Sequence, residues 1–118
     1  MKIVFISGPF RADTPWKVEQ NIRKAEEYSL SIMKLAPNEV FCYCSHTNTR
    51  LFDKELPDSL LLSGNIEMLK RCDALYVLPG YETSTGTEAE IAFARQVGKP
   101  VFFHTSALFR WIGTPDAK

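Results

Sequence analysis

The sequence is short of the features that mark a polymer-binding, membrane-bound or secreted protein. It has no excess of charge: fourteen Lys and Arg balance fourteen Asp and Glu. Without a basic face, a nucleic-acid polymer or an anionic membrane has no electrostatic footprint to follow, and neither is expected as a partner. Long hydrophobic runs are missing too. The N-terminal stretch Ile3-Val4-Phe5-Ile6 stops at Gly8-Pro9, too short for a secretory signal, and no segment approaches the length of a membrane span. Cysteine is scarce, with three in 118 residues. An odd count without paired spacing points to a reducing cytoplasm rather than a disulfide framework. Cys42-Tyr43-Cys44-Ser45-His46 lacks the second ligand pair of a zinc site, and its cysteines alternate as strand residues do, so no metal is expected. Neither the Walker nor the dinucleotide glycine spacing occurs, and no cofactor is implied. There is no internal repeat, low-complexity stretch or linker. A hydrophobic content of 45% over 118 residues predicts one domain, residues 1–118, with a real core.

Strand and helix periods alternate along the chain four times. Lys2 to Ser7 is apolar and β-branched and reads as a first strand. After the loop Ser7 to Asp13, Thr14 is placed to cap a first helix with Pro15 at its first position. Val18, Ile22, Ala25 and Ile32 recur at helical spacing, and Pro37-Asn38 ends that helix. Val40 to Cys44 reads as a second strand, and Ser45 to Pro57 as a long polar loop. Asp58 is placed to cap a second helix running to about Cys72. Asp73 to Leu78 forms a third strand, Thr85 to Val97 a third helix closed by Gly98-Lys99-Pro100, and Val101 to Phe103 a fourth strand. One helical turn is expected around Ala107 to Trp111, followed by a frayed tail. This alternation predicts an α/β fold: a doubly wound, Rossmann- or flavodoxin-like parallel sheet of four to five strands. Right-handed crossovers give the order 2-1-3-4. Strands one and three then flank the topological switch point, so a ligand crevice is expected at the loops Gly8 to Asp13 and Pro79 to Thr83.

Glu90 is the residue that asks for an explanation. On a helical wheel Glu88, Ala92, Arg95, Gln96 and Lys99 share one side of the third helix. Ala89, Phe93, Val97, Ala94, Gly98 and Ile91 share the other, with Glu90 near its middle. A carboxylate on a core-facing side is costly unless it is partnered or used. A structural partner such as Arg11 or His46 is the plainer account; a ligand at the switch point is the other. Further residues converge on the same crevice. Gly8 lets backbone amides approach a ligand, and Arg11 offers a two-pronged grip on a phosphate. Ser84, Thr85 and Gly86 bring a hydroxyl, a glycine and helix N-terminal amides, an arrangement suited to an anion. His46 and Asn65 are candidates to touch a sugar hydroxyl or a base edge, and Phe10 and Tyr81 to stack on a base. Each has an ordinary structural reading beside the functional one.

With these residues in place, the chain resembles the nucleoside 2-deoxyribosyltransferase superfamily, which includes the 2′-deoxynucleoside 5′-monophosphate N-hydrolases. The likeness runs from the first strand to the fourth. Ser84, Gly86, Glu90, Ala92 and Ala94 follow the pattern S-x-G-x-x-x-E-x-G-x-A, with Ala92 in place of the second glycine. Gly8-Pro9-Phe10-Arg11 stands where the hydrolases carry G-S-I-R. Asn65 to Asp73 follows the helix ending D-x-x-x-L-x-x-(A/C)-D, with Asn65 in place of its first aspartate. The resemblance implies that Glu90 is a nucleophile at the anomeric carbon and that Ser84 and Arg11 bind a 5′-phosphate. It also implies a small-molecule nucleotide as substrate and a homodimer or higher homo-oligomer, an expectation to which the narrow polar stripe of the third helix adds. Asn65 removes a proton donor and acceptor, and Pro9 removes an amide donor. The expected function is therefore cleavage of the N-glycosidic bond of a (deoxy)nucleoside 5′-monophosphate, by a nucleotide N-glycosidase or deoxyribosyltransferase-like enzyme. The alternative is a non-catalytic module that binds or senses a nucleotide with the same crevice.

Overall fold

The computed structural model describes residues 1–52 and 54–113. Four strands, β1 (Lys2–Ser7), β2 (Val40–Cys44), β3 (Ala74–Val77) and β4 (Val101–Phe102), form one sheet in the order β2-β1-β3-β4. Every pairing is parallel: Val4 stands opposite Cys42 on one side and Ala74 on the other, and Leu75 opposite Val101. The helices are α1 (Pro15–Leu35), α2 (Ser45–Asn48), α3 (Asp58–Lys70), α4 (Thr85–Gln96) and α5 (Thr105–Ile112). This is the doubly wound α/β fold and the strand order that the alternation of periods predicts. Among the described residues, no helix is long and apolar enough to cross a membrane.

The core has two layers, one on each face of the sheet. Val4 and Ile6 of β1 pack with Ala25 and Ile32 of α1 and Leu108 and Phe109 of α5. Phe5 faces the opposite way, toward Leu69 of α3 and Ile91 and Ala94 of α4. A central parallel strand is covered on both faces, so it reads as continuous hydrophobic sequence rather than as an alternation. The period of two then places Ser7 on the Phe5 side, under α4. At the other end of the strand, Asp73 clasps Ile3: its amide bonds the Ile3 carbonyl and its carboxylate accepts from the Ile3 amide, both at 2.7 Å.

The helix ends show where local chemistry decides and where packing does. Thr14 caps α1 as expected, accepting from the Lys17 amide at 3.2 Å, with Pro15 at the first helical position. Asp58, by contrast, is not the cap of α3. Pro57 holds that position in an extended conformation, and Asp58 is the first helical residue, where its charge still complements the helix dipole. α3 stops at Lys70 rather than Cys72, because the amides of Arg71 and Cys72 bond three residues back, to Met68 and Leu69, and tighten the chain out of the α-helix. The segment expected as a loop from Ser45 begins instead with the short helix α2, which delivers His46 to the sheet edge; residue 53 of that segment lies outside the described residues. α5 is longer than the single turn expected, and the fraying expected after it falls on residues 114–118, also outside the described residues.

Gly8, where β1 leaves the sheet, is fixed by space. A Cβ built there would lie 2.8 Å from both Cβ and Cδ1 of Leu78. Only glycine lets the loop after β1 run this close to the end of β3. The two strands that flank the switch point are thereby drawn together at the place where their loops open the crevice.

Candidate active site

A cavity of about 260 Å³ lies at the carboxyl edge of the sheet. Gly8, Pro9, Phe10 and Arg11 line it from the loop after β1; Ser45, His46 and Thr49 from α2 and its end; Asp58, Leu61, Leu62 and Asn65 from α3; and Thr83 to Thr87 with Glu90 from the start of α4. The α3 contribution is a single helical stripe, spaced i, i+3, i+4 and i+7. Of the crevice residues singled out in the sequence, all but Tyr81 therefore share one cavity. Tyr81 does not. Gly80, at φ 84°, turns the chain in the left-handed region, and Tyr81 packs instead on Phe103 with ring centroids 5.4 Å apart. It borders a separate depression with Tyr28, Tyr76 and His104.

Glu90 lies in the second turn of α4 and is 5% exposed. The buried stripe of α4 holds Thr87, Glu90, Ile91 and Ala94, while Val97, expected on the core side, is exposed. Neither Arg11 nor His46 is the carboxylate's partner. Ser7, at the end of β1, donates its hydroxyl to Glu90 Oε1. Burial pushes the Glu90 carboxyl up to about 7, and the Ser7 hydrogen bond opposes that rise. Desolvation wins because one neutral donor replaces only part of the hydration the carboxylate loses.

The start of α4 has a defined division of donors. The Ser84 hydroxyl accepts from the Thr87 amide at 3.2 Å, and the Ser84 carbonyl accepts from the Glu88 amide at 3.1 Å. The amides of Thr85 and Gly86 stand ahead of the first intrahelical bond. Because the Ser84 oxygen accepts in the cap, its own proton remains available for donation. A Cβ at Gly86 would meet nothing within 4 Å, so the approach to these groups is open.

The loop after β1 is anchored at three successive residues. The Pro9 carbonyl lies 2.9 Å from His46 Nε2, the Phe10 carbonyl accepts from Asn21 Nδ2 at 3.1 Å, and Arg11 pairs with Asp58 on α3. Pro9, which offers no amide, thus takes part through its carbonyl. The Phe10 ring meets the His46 ring edge-on at 5.8 Å. Arg11 and Asp58 are 53% and 72% exposed in their side chains, so their attraction is worth at most about 1 kcal/mol.

Sequence reasoning misses two participants. Ser7 carries a signal only once the faces of β1 are assigned. Asp58 reads as a cap, yet its spacing from Asn65, seven residues on, places both on the cavity side of α3. The cysteines stay outside this chemistry. Cys42 and Cys72 are buried, and burial raises their thiols to about 12 and about 11. Among the described residues, no group of three His, Cys, Asp or Glu side chains is placed to hold a metal ion.

Residues 2–104 match the family described as a domain of unknown function, DUF7768, and the chain belongs to that family. No curated protein matches it.

The buried carboxyl has a thermodynamic consequence. Between the ordinary carboxyl value of 4.5 and about 7, the folded chain holds a proton that the unfolded chain has released, so Glu90 makes stability fall as pH rises. The total is on the order of 3 kcal/mol. His46 acts in the opposite sense, because burial lowers its proton affinity and stability is lost as pH falls below its ordinary value. Subtracting Glu90→Gln from the wild type isolates the carboxyl. In denaturant titrations across pH 4 to 8, the variant is expected to gain on the wild type between about pH 4.5 and 7 and to hold that gain above. Parallel curves would show that Glu90 is not a raised, buried carboxyl.

Proposed function

We propose that this member of the family is a nucleotide N-glycosidase or deoxyribosyltransferase-like enzyme acting on a (deoxy)nucleoside 5′-monophosphate, with Glu90 as its nucleophile. The observation that carries this reading is the placement of Glu90: a carboxylate 5% exposed, on the wall of a cavity, with the Ser7 hydroxyl as its one partner among the described residues. Glycosidic cleavage passes through an oxocarbenium-like state, and a desolvated carboxylate beside the anomeric carbon stabilises that charge far better than a hydrated one. Glu90 attacks the anomeric carbon, and the C–N bond breaks with its electron pair passing to the base nitrogen, which takes a proton from solvent. Water, or a second base, then attacks the same carbon and releases the carboxylate. A carboxyl titrating at about 7 makes the rate rise with pH through that value.

Arg11, the Ser84 hydroxyl proton and the first amides of α4 are the proposed phosphate anchor. They line the same cavity as Glu90, and fixing the phosphate orients the sugar over the carboxylate. Asn65 takes the sugar or base side from α3. The resemblance to the nucleoside 2-deoxyribosyltransferase superfamily supports the same assignment of Glu90, Ser84 and Arg11. A second reading, a non-catalytic nucleotide-binding or nucleotide-sensing module, is favoured by Asn65, which cannot supply a proton as a carboxylic acid does, and by the Pro9 carbonyl, which is occupied by His46.

We also propose a homo-oligomer, in a reducing cytoplasm that suits three unpaired cysteines. Half of the large apolar side chains left exposed among the described residues, Leu51, Phe52, Leu56, Leu60, Leu62 and Met68, lie on α3 and the segment before it rather than on α4, and these are the side chains offered to a second subunit.

Incubation with ribo- and deoxyribonucleoside 5′-monophosphates, followed by chromatography, is expected to show free base. Glu90→Gln keeps shape but not charge, and is expected to lower the rate about a thousandfold or more. Wild-type binding without base release would select the sensing module, and an active Glu90→Gln would end the nucleophile assignment. Arg11→Ala is expected to weaken a monophosphate about tenfold, the size of one charge-assisted contact, and to leave a nucleoside unchanged; equal wild-type affinity for nucleoside and monophosphate would remove the phosphate anchor. In sedimentation at micromolar concentration the protein is expected as a dimer or larger, and a monomer alone would refute the assembly.

A further inference from the structure

The two oxygens of the Glu90 carboxylate are not equivalent. Oε1 accepts from the Ser7 hydroxyl. Ser7 is 1% exposed and is not part of the cavity lining, which starts one residue later at Gly8. Its backbone is fixed by β3: it stands opposite Val77, and its carbonyl accepts from the Leu78 amide at 2.8 Å. The donor is thus placed by the sheet rather than by a loop. Oε2 has no hydrogen-bond partner among the described residues. It is not sealed either, because the one sealed side-chain nitrogen or oxygen without a partner among those residues is His46 Nδ1. The cavity is the opening that Glu90 lines, so Oε2 is the oxygen that faces it.

We propose that Ser7 is a positioning residue of the reaction: it pins Oε1 so that Oε2 is the atom presented to the anomeric carbon. This rests on the reading of Glu90 as a glycosidic nucleophile. Oε2 bonds to the anomeric carbon as the C–N bond breaks, and the electron pair passes to the base nitrogen, which takes a proton from solvent. Oε1 then becomes the carbonyl oxygen of the sugar ester and still accepts from Ser7. Water next attacks the same carbon. The bond to Oε2 breaks with its pair returning to the carboxylate, and the proton lost by water goes to solvent. One hydrogen bond persists through both steps and holds the carboxylate in the attacking geometry. The same bond favours the ionised form, since burial raises the proton affinity of Glu90 and Ser7 lowers it. The other titratable groups near it are Arg11, His46 and Asp58, which line the cavity, and Tyr43 of β2, which senses the Glu90 charge. A substitution at Ser7 leaves all four in place.

Ser7→Ala deletes the hydroxyl and little else, and Ser7→Thr restores one. Base release from the ribo- and deoxyribonucleoside 5′-monophosphates would be followed as a function of pH in the wild type and both variants, with thermal melts to establish folding and calorimetry for affinity. In Ser7→Ala the midpoint of the rate is expected to rise by about one to two pH units, the size of one hydrogen bond to a charged group. The fall in ionised carboxylate alone then lowers the rate at neutral pH about fivefold or more, while affinity for a monophosphate is unchanged. Ser7→Thr is expected to return the midpoint toward that of the wild type; if Thr does not fold, Ala alone decides. A second readout needs no turnover. The difference in stability between each Ser7 form and the same form carrying Glu90→Gln, followed over the same pH range, reports the proton affinity of the carboxyl and is expected to show the same rise. A Ser7→Ala protein that loses stability but keeps both midpoints would make Ser7 merely structural and overturn the proposal, with Glu90 still the nucleophile. Absence of base release by the wild type would overturn the reaction, and this inference with it, whatever the stability comparison gives.

Discussion

The structure depends on β1 being paired on both sides and covered on both faces. Its backbone is bonded to β2 and β3, and Val4, Phe5 and Ile6 have no exposed surface. The buried middle of such a strand tolerates no polar side chain, because nothing inside the sheet would hydrate or pair it. Polar side chains are therefore left to its ends, Lys2 and Ser7, and a ligand crevice to the carboxyl end, where loops begin. Ser7 is the first residue at which a hydroxyl is affordable, and it remains buried only because Glu90 accepts its proton. The core and the cavity meet in that one hydrogen bond.

The pairing of Ser7 with Glu90 sets the cost of burying a carboxylate against a single compensating hydrogen bond. One hydroxyl is too little to solvate a carboxylate, so the folded state tolerates the charge at the expense of stability near neutral pH. A second donor at the same spot would stabilise the ion and lower the proton affinity of the carboxyl. An apolar neighbour in place of Ser7 would raise it further. With one donor, burial leaves the carboxyl at about 7, between these limits.

Much of this architecture is legible in the sequence because it rests on periodicity. β-Branched runs, a Thr-Pro helix start and the handedness of crossovers lead to the order 2-1-3-4 without further information. Glu90 is legible for the same reason: a helical wheel shows a charge out of place. What escapes is whatever depends on contacts between distant segments. Ser7 and Glu90 are 83 residues apart and Pro9 and His46 are 37 apart, and no local pattern joins them. α2 escapes because a four-residue helix is held by its surroundings rather than by propensity. Tyr81 is misplaced because one backbone angle, at Gly80, decides which side of the loop its ring falls on. Asp58 resembles a cap in sequence, but Pro57 takes that place and leaves its side chain to Arg11.

The anchoring of the loop after β1 bears on the entropy of recognition. His46, Asn21 and Asp58 hold Pro9, Phe10 and Arg11 in turn, and Gly8 is wedged against Leu78. A free loop of this length would have to be ordered by each ligand it met, at about 1–2 kcal/mol per residue fixed. Here that ordering takes place once, when the chain folds. A small ligand entering this cavity would meet walls already ordered, and its affinity would not be reduced by the cost of shaping its own container.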